Sequence, residues 1–115
     1  MSKQIFGVAI IDGEFKPMTV EDSLDSYYKL LGCSVIDIPM RRIGGVYYDI
    51  VCDEEGLYNS DNRIQMIHHE THAPMLVGNL FICKDDGKGE LKSLDNEDVE
   101  KIRQSWKFRT ILGDY

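Results

Sequence analysis

The segment His68-His69-Glu70-Thr71-His72 holds all three histidines of the chain and is its most reactive-looking stretch. His68 and His72 stand four apart, the spacing that sets two imidazoles on one helix face as zinc ligands. No glutamate directly follows His68, however, no third ligand is spaced nearby, and Pro74 stops a helix just beyond. His69-Glu70-Thr71 also has the H-x-T form of phosphoesterases that open cyclic phosphates. That chemistry needs a second copy of the signature to pair a base with an acid, and His72 is followed by Ala73-Pro74 instead. A metal- or histidine-dependent phosphoesterase is thus the weaker alternative, and a polar loop without metal the expectation.

Asp53, Glu54 and Glu55 offer oxygen ligands for a hard cation, yet they are adjacent, whereas a calcium loop alternates its ligands over about twelve residues. With Gly56 they read as a turn. Arg41 and Arg42 precede Gly44-Gly45, a short basic, glycine-bearing element in a chain of net charge −7. Arginine presents a planar fork to phosphate or carboxylate, and glycine lets a ligand approach the backbone. Asn62 with Arg63, and Asn79, are polar candidates of the same type. Tyr47, Tyr48 and Tyr58 are aromatic platforms for a base or sheet-packing residues. The ligand-binding set is therefore Arg41, Arg42, Gly44, Gly45, Tyr47, Asn62, Arg63 and Asn79, with no catalytic residue, no cofactor and no enzyme expected. No phosphate loop, dinucleotide fingerprint or nucleophile elbow is present.

The elements that must position these residues follow from periodicity. Gln4 to Ile11 is apolar on both alternating faces and reads as a central strand. Asp12-Gly13 turns it into a short return strand, Glu14 to Met18, which Pro17 keeps at an edge. Thr19 as N-cap with Asp22 three residues on predicts a helix from Val20 to Leu31, ended by Gly32. Cys33 to Met40 and Val46 to Asp53 form a hairpin joined by Arg41-Arg42-Ile43-Gly44-Gly45, whose two glycines permit a tight or bulged connection. Leu57 to Pro74 reads as a loop with one short turn of helix or strand, and Met75 to Lys84 as a second central strand closed by Asp85 to Gly89. Leu94 and Val99 staple the N-cap Asp95 of a second helix, Asn96 to Lys107. The sum is a single α+β domain over residues 1–115, with an antiparallel or mixed sheet of about four to six strands and two helices.

A chain of 115 residues, 43% of them hydrophobic, can build one core unaided. Net charge −7 opposes duplex DNA and anionic lipid. The three cysteines sit singly in apolar stretches, as in a reducing cytoplasm, and no run is long enough for a membrane helix. A homo-oligomer is left open, with the tyrosine-rich strand Val46 to Val51 a candidate edge.

Leu30-Leu31-Gly32-Cys33, Arg42-Ile43-Gly44-Gly45, Cys52-Asp53-Glu54-Glu55-Gly56-Leu57 and Leu76-Val77-Gly78-Asn79-Leu80-Phe81-Ile82, in this order, resemble a family of small domains of unknown function, DUF 3846. The resemblance covers most of residues 20 to 104, and His68 to Pro74 departs from it. It implies an accessory protein of phages, plasmids and integrative elements in a bacterial host. Such a protein is expected to counter defence, either by sequestering a nucleotide-type immune signal or by blocking a host defence or CRISPR component directly.

Overall fold

A computed structural model of the chain describes residues 3–55, 64–106 and 111–113. Two sheets and two helices make it up, an α+β architecture. The main sheet has seven strands, more than the sequence pattern resolves. Its path runs β2 (Glu14–Glu21), β1 (Gln4–Ile11), β8 (Leu80–Asp85), β5 (Val46–Asp53), β3 (Ile36–Asp37). Strand β4 (Met40–Ile43) also pairs with β5, and β9 (Leu91–Lys92) with β8, all antiparallel. The smaller sheet has the order β10 (Ile111–Gly113), β6 (Ile64–His68), β7 (Pro74–Val77), with β10 parallel to β6.

Strand β1 is internal, as its two apolar faces require, because each face meets a different core. One core gathers Val8, Ile10, Tyr48, Ile50, Leu80 and Ile82 under α2 (Asn96–Trp106) and the small sheet. The other gathers Ile5, Ala9, Val51, Phe81 and Cys83 under α1 (Leu24–Leu31), which contributes Tyr27 and Leu31. Pro17 lies in β2 at the sheet edge, where a residue lacking an N–H removes no ladder bond that the sheet needs.

The first helix begins later than its spacing predicts. Thr19 and Val20 stay extended because β2 keeps its register with β1 out to Gln4↔Glu21, and β-branched side chains suit that ladder. The cap is Ser23, whose Oγ accepts from the Ser26 N–H at 3.2 Å. The second helix starts where the staple puts it. Asp95 Oδ1 accepts from the Asp98 N–H at 2.9 Å, and Asp98 Oδ2 accepts from the Asp95 N–H at 3.1 Å, a reciprocal capping box.

Two predicted strands are each divided. Cys33 to Met40 holds only β3 and the first residue of β4, with Pro39 between them, and β4 runs on through Arg41, Arg42 and Ile43, read from the sequence as part of the connection, because they pair with β5. Met75 to Lys84 becomes β7 and β8, which belong to different sheets; Gly78, at φ 79°, turns the chain from one into the other. Residues 64–68, inside the predicted loop, are a strand. Of the rest of that loop, residues 69–73 form a turn and Pro74 opens β7, while 57–63 lie outside the described residues, as does Lys107. Among the described residues no helix is long and apolar enough to cross a membrane.

Candidate functional site

The β4–β5 hairpin closes more tightly than the five-residue connection read from the sequence, because its strand pairing continues to the glycines. Ile43 pairs with Val46, leaving a two-residue connection in which Gly44 and Gly45 sit at φ 60° and 83°. Side chains cannot take two successive positive φ values without strain, and this geometry matches the twist of the flanking strands. The register then separates the two arginines. Arg41 lies opposite Tyr48, on the face that packs under α2, whereas Arg42 lies opposite Tyr47 on the other face.

The two faces have different chemistry. Arg41 lines a small cavity of about 160 Å³ together with Asp37, Asp53 and Glu54, so acids surround it, and its Nη1 donates to the Met40 carbonyl at 2.9 Å. On the opposite face, Met40, Tyr47 and Asp49 line a larger cleft of about 620 Å³ whose other walls are Lys84, Asp85, Gly87, Gly89 and Lys92. The cleft exists because β8 pairs with β5 only as far as Asp49↔Cys83 and then turns with β9, so the β4–β5 and β8–β9 hairpins part.

Each wall of that cleft has a distinct property. Tyr47 is 56% exposed, and the Arg42 guanidinium carbon stands 5.8 Å from its ring centroid, which holds the ring's orientation. Asp49 is buried at the floor. Burial, and then the charge of Asp85 and a hydrogen bond with it, hold the Asp49 carboxyl above the usual carboxylate range. Lys84 turns its ammonium to Asp98 at 2.9 Å, and Lys92, its register partner across β8–β9, is the other cation lining the cleft.

Asn79 does not join this group. Its Oδ1 accepts from the Asp12 N–H at 2.8 Å and its Nδ2 donates to the Leu31 carbonyl at 3.4 Å, so it ties the β1–β2 turn to the end of α1. Asn62, Arg63 and Tyr58 lie outside the described residues. Of the sequence candidates the structure thus brings together Arg42 and Tyr47 beside the Gly44-Gly45 turn. Met40, Asp49, Asp85 and Lys92 were missed. The legible signal was an aspartate within Tyr48-Asp49-Ile50-Val51, a charge amid residues that all turn out to be buried.

The histidines form a hairpin turn, not a helix face. The His68 N–H donates to the Ala73 carbonyl at 2.9 Å and the His72 N–H to the His68 carbonyl at 2.8 Å. His68 and His69 stack at 5.2 Å between ring centroids, and His68 Nδ1 accepts from the Glu70 N–H at 3.3 Å. Among the described residues no group of three or more His, Cys, Asp or Glu could hold a metal ion. Asp53 Oδ1 accepts from the Glu55 N–H at 2.9 Å, the local bond of the turn read from the sequence.

A family model described as a domain of unknown function (DUF3846) matches residues 5–107. No curated protein and no solved structure matches the chain.

Proposed function

The chain belongs to this family of domains of unknown function, and we propose, from the geometry of its cleft, that it is a binding module that sequesters a nucleotide-type small molecule. The seat is the cleft between the β4–β5 and β8–β9 hairpins. The observation that carries the reading is the single face bearing Arg42, Tyr47 and Asp49, which opens onto about 620 Å³ of space, within the usual span of small-ligand sites. A nucleobase stacks on the exposed Tyr47 ring. Its edge N–H groups donate to Asp49 and Asp85 at the floor, and a phosphate meets Arg42 and Lys92 at the rim. In a chain of net charge −7, such local donors must outweigh the overall field.

The resemblance to domains of mobile elements makes signalling nucleotides of bacterial defence the class to test first. A thermal-shift and calorimetric screen of cyclic nucleotides, cyclic dinucleotides and ADP-ribose derivatives should give a stabilising, saturable hit, because a ligand that binds only the folded state raises its stability. Tyr47→Ala or Arg42→Ala should then weaken binding about ten-fold or more, whereas Arg41→Ala, on the opposite face, should not. A flat screen, or equal losses from Arg41→Ala and Arg42→Ala, overturns the reading.

A further inference from the structure

The apolar face of α1 runs past the sheet it covers. Leu24, Tyr27 and Leu31 stand at helical spacing on one stripe. Tyr27 and Leu31 are buried in the core, yet Leu24, on the same stripe, is 59% exposed. It overhangs a groove of about 320 Å³ between the start of α1 and the edge of the main sheet, lined also by Tyr27, Ile36, Ile38 and Leu91. Ile36 and Ile38 are two apart, at the terminal strand β3 and just beyond it, and Ile38 is 42% exposed. Leu24 and Ile38 leave apolar surface in water at this groove, which covering would remove from solvent.

Acids frame the groove. Asp22 and Glu90 line it, and Asp25 stands exposed in the first turn of α1. Lys3, beside the groove, is already engaged, lying 3.8 Å from Glu90 and donating to the Leu91 carbonyl. The Asp22 carboxylate accepts from the Tyr27 hydroxyl at 2.8 Å, which fixes one acid at the groove wall. An apolar floor with an acidic rim is complementary to apolar anchors flanked by basic side chains. A second copy of this chain brings net charge −7 of the same sign, so self-association is opposed.

We propose that the groove between Leu24 and Ile38 is a docking site for a segment of a partner protein that presents apolar anchors flanked by Lys or Arg. It is separate from the nucleotide-type cleft, although the two adjoin at Gly89, which lines both. Loss of one reading therefore leaves the other standing.

The test uses the full chain and a synthetic peptide of interspersed leucine and lysine, with a glutamate-for-lysine counterpart. Methyl NMR should show shifts concentrated on Leu24, Ile36, Ile38 and Leu91 with the basic peptide and none with the acidic one. The double substitution Leu24→Ser with Ile38→Ser should weaken binding at least ten-fold, whereas Ile64→Ser with Leu112→Ser, exposed apolar residues elsewhere, should leave it unchanged. Shifts spread over the surface, equal losses from both pairs, or equal binding of both peptides would overturn the proposal. So would a dimer in light scattering that the Leu24 and Ile38 substitutions dissociate, which would assign the groove to a second copy.

Discussion

The hydroxyl of Tyr48 donates to the carboxylate of Asp98 at 2.8 Å, joining the middle of β5 to the first turn of α2. Both residues are buried. The same carboxylate receives the Lys84 ammonium and the Asp95 N–H, so one side chain ties β5, β8 and the helix cap together. Burial alone would raise the Asp98 carboxyl. The bonds from Lys84, from the backbone at Asp95 and from Tyr48 outweigh it and hold it below its ordinary value, while burial and the hydrogen bond to Asp98 push the Tyr48 phenol up.

Tyr48→Phe should cost about 1.5–3 kcal/mol, the scale of one hydrogen bond to a charged group, and Asp98→Ala about 3–5 kcal/mol, because Lys84 and Tyr48 lose their common partner. A depressed carboxyl stabilises the fold above its unfolded value of 3.8 and loses that contribution as pH falls through the lower folded value. Urea unfolding of wild type and Asp98→Ala should therefore converge in acid and diverge at neutral pH.

Asp49 carries the opposite sign. Its carboxyl is held high by burial and by Asp85, so its ionisation opposes folding. The penalty is absent below the ordinary value of 3.8, where both states are protonated, and is complete above the raised folded value. Asp49→Asn should raise the melting temperature at pH 7, with a gain that vanishes in acid. A variant less stable than wild type at pH 7 would show that the charge is compensated.

Burial pushes the Cys52 and Cys83 thiols up to about 12. Since the thiolate is the reacting form, neither should be alkylated in the folded protein at pH 8. Mass spectrometry after iodoacetamide should find at most one label, on the part-exposed Cys33, and three after denaturation.

Gly7 lies where β1 meets β8, and a Cβ there would stand 2.3 Å from the Ile82 carbonyl oxygen and 2.6 Å from the Phe81 ring. Both are held by the sheet, so Gly7→Ala should cost on the order of 3 kcal/mol or more. Thermal denaturation measures it.

How far the sequence could be read follows from what each signal reports. Periodicity and capping are local, and they located α2, its Asp95 cap, a glycine-bearing hairpin connection ending at Gly44-Gly45 and the internal position of β1, but not that Arg41 to Ile43 belong to the strand. They could not show that Thr19 and Val20 would be held extended, because the partner strand decides that. Nor could they divide Met75 to Lys84 between two sheets, since apolar residues on both faces look alike whichever sheet receives them. The site was half legible for the same reason. Arg41 and Arg42 are neighbours in sequence and opposites across a pleat, and Asp85 reaches Asp49 only once β8 lies against β5.

The position of β8 also bears on how fast the chain acquires its structure. The β1–β2 and β4–β5 hairpins close locally, with partners only a few residues apart, but they do not touch each other in the sheet path; β8 separates them. The middle of the sheet thus waits for a segment about seventy residues downstream of β1, where Val8 meets Ile82, and loop closure on that scale precedes the contacts that reward it. Two hairpins with unsatisfied inner edges should accumulate before the late strand slots between them. In stopped-flow refolding, Ile82→Val should slow the main phase, while Val20→Ala, at the outer strand, should act chiefly on unfolding.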